Sequence, residues 1–89
     1  MIFNTVEKKN IRLDLYLFYI RMFKSRNLAT KFITSNRLRI SGQVTQKPHK
    51  LISTGDVLSL PIQDNVKILK VVDIPNRRGP FAEALNYYE

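Results

Sequence analysis

Between Leu13 and Phe23 nine of eleven residues are aliphatic, aromatic or methionine, interrupted only by Asp14 and Arg21. A chain of 89 residues makes one small domain, and its fold must first find cover for that run. Leu13, Tyr16, Leu17, Ile20 and Phe23 recur at three- and four-residue spacing, which predicts a helix from about Arg12 to Phe23. Leu15, Phe18, Tyr19 and Met22 fill most of the remaining circumference, leaving Asp14 and Arg21 as a polar strip. Such a helix is either buried on several sides or offers a patch to a partner, and burial suits a small domain better. The run is about half the length of a membrane span and carries two charges, so a spanning role is not expected. Met1 to Asn10 lacks a basic start followed by an apolar core, so no signal peptide is expected, and a cytoplasmic location is.

Ser25 is an N-cap candidate for a second helix over roughly Arg26 to Asn36, with Leu28, Ala29, Phe32 and Ile33 as its apolar face. The other face holds Arg26, Asn27, Thr30, Lys31, Thr34 and Ser35, without a carboxylate. Leu38 and Ile40 then alternate with Arg37 and Arg39, and a hairpin through Ser41-Gly42 leads to Gln43-Val44. Pro48 belongs to a loop, Thr54-Gly55-Asp56 is a turn into a strand from Val57 to Leu60, and Gln63-Asp64-Asn65 turns into a long strand from Val66 to Ile74. The tail is irregular after Pro75-Asn76, with a short helix around Glu83 to Tyr87. Two helices on a small antiparallel sheet is the simplest α+β arrangement that buries both apolar faces.

Charge is confined as sharply as hydrophobicity. Of fifteen Lys and Arg residues eleven lie between Lys8 and Lys50, where Asp14 is the single acid and the local net charge is +10. The chain after Lys50 nets −1. Self-repulsion of that size points to a polyanionic partner, because neutralising phosphates releases their condensed counterions.

The start of the second helix brings unpaired backbone N–H groups together with Lys24, Ser25 and Arg26, a combination suited to phosphate. The plainer alternative is that Ser25 only caps the helix while the cations are solvated. Arg37 and Arg39 share one side of their strand, and either could instead pair with Asp14. Lys47 and Lys50 follow in a loop that could extend the same surface. Tyr87 and Tyr88 suit base stacking, but pinning the tail against the sheet or first helix is the stronger expectation. Arg77 and Arg78 fit either a contact with the polyanion or an anchor near Glu83.

Catalytic chemistry finds little footing. The chain has no cysteine for a disulfide, a thiolate metal site or a nucleophile. His49 is the sole histidine and has no acidic cluster beside it, so no metal is expected. Glu83 and Glu89 stand six positions apart in the tail, and there is no Gly-rich phosphate loop or Ser/His/Asp set. No cofactor or small-molecule substrate is implied.

Arg12-Leu13-Asp14 with Leu17, then Lys24-Ser25-Arg26, Ala29, Ile33, Arg37-Leu38-Arg39-Ile40, Gly42, Val44, Lys47-Pro48 and Gly55-Asp56-Val57-Leu58 resembles the S-four RNA-binding domain. That domain is named after small-subunit ribosomal protein four, and its helix pair with hairpin is called the αL motif. The likeness covers about residues 11–60 of a single domain spanning 1–89. Val66 to Ile74, Arg77-Arg78-Gly79-Pro80, Glu83-Ala84 and Tyr88-Glu89 are similar to the free-standing bacterial members of the heat-shock protein fifteen type. Some of those members continue into a long basic C-terminal extension, and the family often has Asn-Gly where this chain has Ser41-Gly42.

The resemblance implies an αL motif on a mainly antiparallel sheet of about four strands, completed by a C-terminal tail or short helix. It implies an RNA-facing surface of Arg12, Lys24, Ser25, Arg26, Lys31, Arg37, Arg39 and Lys47, with Asn27, Lys50, Arg77 and Arg78 as secondary contacts. The implied partner is structured RNA, chiefly ribosomal RNA on the large subunit with tRNA as a further candidate, bound by a non-enzymatic monomer. Ribosome assembly, rescue and quality control are the processes this fits. Two other readings use the same charge: a module docking an acidic protein, and a duplex-DNA binder built on the two helices.

Overall fold

The computed structural model describes residues 9–89, so Lys8 lies outside the described residues. The elements in chain order are β1 (Asn10–Arg12), α1 (Leu13–Tyr19), α2 (Arg26–Ser35), β2 (Leu38–Ile40), β3 (Gln43–Thr45), β4 (Leu51–Ser53), β5 (Val57–Ile62), β6 (Asn65–Lys70) and α3 (Phe81–Ala84). Strands β3-β2-β5-β6 form an antiparallel sheet in that order, and β1 pairs with β4 in a second, two-stranded one.

Alternation assigns the faces of the larger sheet. Leu38 and Ile40 of β2, Leu58 and Leu60 of β5 and Leu69 of β6 point into the core. There they join Leu13, Tyr16, Leu17 and Ile20 of the first helical segment, and Ala29 and Ile33 of α2. Arg39 stands opposite Val44 and Ser59 on the outer face, where Val44, Val66 and Ile68 are also exposed. Ile11 and Ile52 meet across the β1–β4 pair and close the core at one end.

Helix α1 is buried on several sides, as its composition requires, but it stops at Tyr19 rather than Phe23. The stop is a Schellman turn: Met22 N–H donates to Leu17 O at 3.0 Å and Arg21 N–H to Phe18 O at 3.1 Å. Arg21 occupies the left-handed position with φ +65°. The polar strip expected from Asp14 and Arg21 therefore does not exist. Asp14 is buried against α2, while Arg21 reaches the tail and donates from Nε to Gly79 O at 2.6 Å.

Ser25 caps α2 as expected, its Oγ accepting from Leu28 N–H at 3.1 Å. The helix is rotated from the expected face: Leu28 is exposed and Thr30 turns inward. The hairpin turn falls at Ser41-Gly42, with φ +48° and +87°, the signature of a type I′ turn.

Strand β6 ends at Lys70 instead of Ile74, opposite Val57 where its partner β5 begins, and the chain there also pairs with its own tail. Lys70 and Glu89 exchange backbone bonds at 2.8 and 3.1 Å, and Val71 bridges Tyr88. The short C-terminal helix lies at Phe81–Ala84, slightly before the predicted position. No helix among the described residues is long and apolar enough to cross a membrane.

Candidate nucleic-acid interface

Asp14, in the first turn of α1, is 2% exposed, yet it is the one carboxylate of the basic half. Burying a carboxylate is costly unless its lone pairs are met. Here Arg12 forks onto it, Nε to Oδ1 at 3.2 Å and Nη2 to Oδ2 at 3.1 Å. Arg26 Nε reaches Oδ2 at 3.5 Å, Thr30 Oγ1 donates to the same oxygen at 3.2 Å, and Leu15 N–H donates to Oδ1 at 2.7 Å. The alternative that Asp14 neutralises Arg37 or Arg39 is thereby corrected: its partners are Arg12 and Arg26. One carboxylate faces two guanidinium groups, so the cluster keeps a net positive charge.

The loop after β3 closes over the same end of α1. Leu13 N–H donates to Lys50 O at 2.9 Å and Asp14 N–H to Pro48 O at 3.1 Å. These carbonyls satisfy first-turn N–H groups that no side chain caps. Gln46 Nε2 ties the loop to Thr34 O of α2 at 3.3 Å. Lys47 and Lys50 are thus held near Arg12, whose own backbone is paired with Leu51. A cleft of about 420 Å³, lined by Ile40, Gln43, Val44, Lys47 and Lys50 among others, borders this loop.

Lys24, Asn27 and Lys31 are exposed around α2, and Arg37 is exposed between α2 and β2. Among the described residues Lys24, Lys31, Arg37, Arg39, Lys47 and Lys50 form no salt bridge. The structure therefore joins Arg12, Arg26, Lys47 and Lys50 into one end of the molecule. Arg39 stands apart from them, on the outer face of the sheet. Ser25 uses its oxygen as the helix cap.

The tail cations are turned toward the fold. Arg77 Nη2 meets Glu83 Oε2 at 2.9 Å. Arg78 donates to Phe18 O at 3.2 Å and Phe23 O at 3.5 Å, with its guanidinium 4.7 Å from the Phe18 ring centre. Tyr87 and Tyr88 are both half-buried and packed against the core, and the main-chain O of Tyr87 accepts from Tyr16 Oη at 2.8 Å. Among the described residues no group of three or more His, Cys, Asp or Glu is placed to hold a metal ion. Thr30 is the residue that sequence reasoning misses: helical periodicity puts it in solvent, and only the α1–α2 packing turns it to Asp14.

Comparison with known proteins places this architecture. The S4 domain model matches residues 11–58. Heat shock protein 15 of Escherichia coli K12 is 32% identical over 79 residues, covering 89% of this chain and 59% of its own length. The heat shock protein 15 homolog of Haemophilus influenzae is 28% identical over 82 residues, covering 92% of this chain and 62% of its own. The solved trimeric heat shock protein 15 of Vibrio cholerae superposes with a TM-score of 0.81 at 27% identity, over 91% of this chain and 81% of that one. The chain thus spans about three-fifths of the length of these curated relatives.

Proposed function

The chain belongs to the S4 domain family, and from that premise we propose that it is a non-catalytic protein that binds structured RNA through its basic half. The proposed partner is ribosomal RNA of the large subunit, with tRNA as a further candidate, in assembly, rescue or quality control. The observation that carries this reading is the unneutralised surface around α2. Lys24, Lys31, Arg37, Lys47 and Lys50 form no salt bridge among the described residues, and the only acid of that half is buried under two arginines. Guanidinium and ammonium groups so arranged suit phosphates, guanidinium by two parallel bonds and ammonium as a point charge. Among the described residues no exposed Phe, Tyr or Trp lies in the basic segment up to Lys50, which supports recognition of shape and backbone over base stacking.

Lys31→Glu with Arg37→Glu tests the reading without disturbing the Asp14 cluster. Fluorescence anisotropy on a folded ribosomal RNA fragment should show the variant's affinity falling at least about tenfold, with the salt slope reduced by about one for each phosphate no longer neutralised. Duplex DNA and an acidic polypeptide serve as competitors, and the RNA should win against both. Co-sedimentation with large subunits should disappear after RNase; persistence would favour a protein partner instead. The Vibrio relative is trimeric, whereas we propose a monomer for this chain, supported by a formal net charge of +8 that opposes self-association. Sedimentation equilibrium at physiological salt distinguishes the two.

A further inference from the structure

Two arginines from separate elements converge on one carboxylate oxygen: Arg12 at the end of β1 through Nη2 at 3.1 Å, and Arg26 at the start of α2 through Nε at 3.5 Å, both to Asp14 Oδ2. Those nitrogens are therefore no more than 6.6 Å apart. Two guanidinium groups so close repel each other unless an anion lies between them. Asp14 supplies that anion from inside the fold: it is 2% exposed, while the arginine side chains remain 46% and 44% exposed. Its remaining bonds, from Thr30 Oγ1 and Leu15 N–H, fix the carboxylate itself. Arg12 uses Nε and Nη2 on Asp14 and keeps Nη1; Arg26 uses Nε and keeps both Nη groups. One negative charge under two positive ones leaves the pair short of an anion on its solvent side.

Resting on the RNA-binding reading above, we propose that Asp14 is a positioning residue. It holds the Arg12 and Arg26 guanidinium groups as a preorganised pair that takes one phosphate group of the RNA backbone with the N–H donors left unused. Preorganisation matters because arginine is a long side chain whose ordering otherwise opposes binding. An acid on an RNA-binding surface should, by charge alone, weaken binding. The proposal reverses that sign.

Asp14→Asn raises the formal net charge from +8 to +9 with little change of shape. Anisotropy against the same folded ribosomal RNA fragment, at a temperature where circular dichroism shows the variant folded, should give affinity about tenfold weaker, the scale of one charge-assisted bond. The salt slope should fall by about one. Unchanged or tighter binding with a steeper salt slope would overturn the proposal and leave Asp14 a purely structural group. Introduced into the Arg12→Gln, Arg26→Gln background, Asp14→Asn should cause no further loss; an equal loss there also overturns it.

If Asp14→Asn does not fold, Arg12→Lys and Arg26→Lys decide the matter. Each keeps its charge but lacks the fork, and each should bind about tenfold more weakly. Affinity within twofold of wild type would sink the idea. Wild type failing to bind the RNA at all is a different result, which overturns the proposed function itself.

Discussion

At the scale of single residues, the core holds one phenol whose proton is locked in place. Tyr16 is fully buried and donates to Tyr87 O at 2.8 Å. Burial first, then the nearby Tyr88 and Asp73, push its ionisation well above the usual value near 10. Tyr87 O also accepts from Val72 and Asp73 N–H, so Tyr16→Phe leaves no orphaned carbonyl and should cost only about 1 kcal/mol in urea unfolding near neutral pH. The pH dependence has a definite sign. A tyrosine whose folded-state value is raised contributes its stability fully below about pH 10, where the unfolded phenol is still protonated, and loses it as pH rises toward the folded value. The advantage of wild type over Tyr16→Phe should therefore vanish by about pH 11, and a constant difference between pH 8 and 11 would contradict this. Tyr16 is legible as a core residue from its spacing. Asp14 and Thr30 are not legible as partners, because a pairing sixteen positions apart leaves no trace in periodicity.

At the scale of elements, what can be read depends on how local the cause is. The cap at Ser25 and the Ser41-Gly42 hairpin are legible because each is decided within four residues. Strands β1 and β4 are not: each has three residues, contributes one inward side chain, and pairs with a segment about forty positions away. The early end of α1 is hidden as well, because its left-handed position holds Arg21 where glycine would announce a stop. That position costs on the order of 1–2 kcal/mol, against which the Arg21 bond to Gly79 O acts. The hairpin offers a cleaner test of backbone strain. A Cβ on Gly42 would meet nothing within 4 Å, so Gly42→Ala should be destabilising through its φ of +87° alone. We expect a loss of about 1 kcal/mol in urea, with the m-value unchanged. A loss below about 0.3 kcal/mol would mean that the turn relaxes out of the left-handed region.

At the scale of the whole molecule, the polarity of the sequence becomes a division of labour between the chain's halves. The basic half supplies the α1–α2 junction and the hairpin, and the second half supplies β5, β6 and a tail that returns across the end of α1. The sequence leaves Arg77 and Arg78 undecided between RNA and the tail, since two adjacent cations look alike in composition. Their surroundings separate them. Arg77 forms an exposed pair with Glu83, of the kind worth at most about 1 kcal/mol. Arg78 is half-buried and donates to the Phe18 carbonyl, which also accepts from Arg21 N–H, and to the Phe23 carbonyl beyond the end of α1. Its stacking on the Phe18 ring adds to that grip. Arg78→Ala should therefore lower stability by about 2 kcal/mol, or roughly 10 °C in Tm for a domain of this size, with Arg77→Ala shifting Tm far less. Measured where both variants are fully folded, RNA affinity should stay within about twofold of wild type, because every cation assigned to phosphate is still in place. A large drop in affinity with an unchanged Tm would instead assign Arg78 to the RNA and leave the tail held by its backbone pairing and by the Arg21 and Tyr16 bonds.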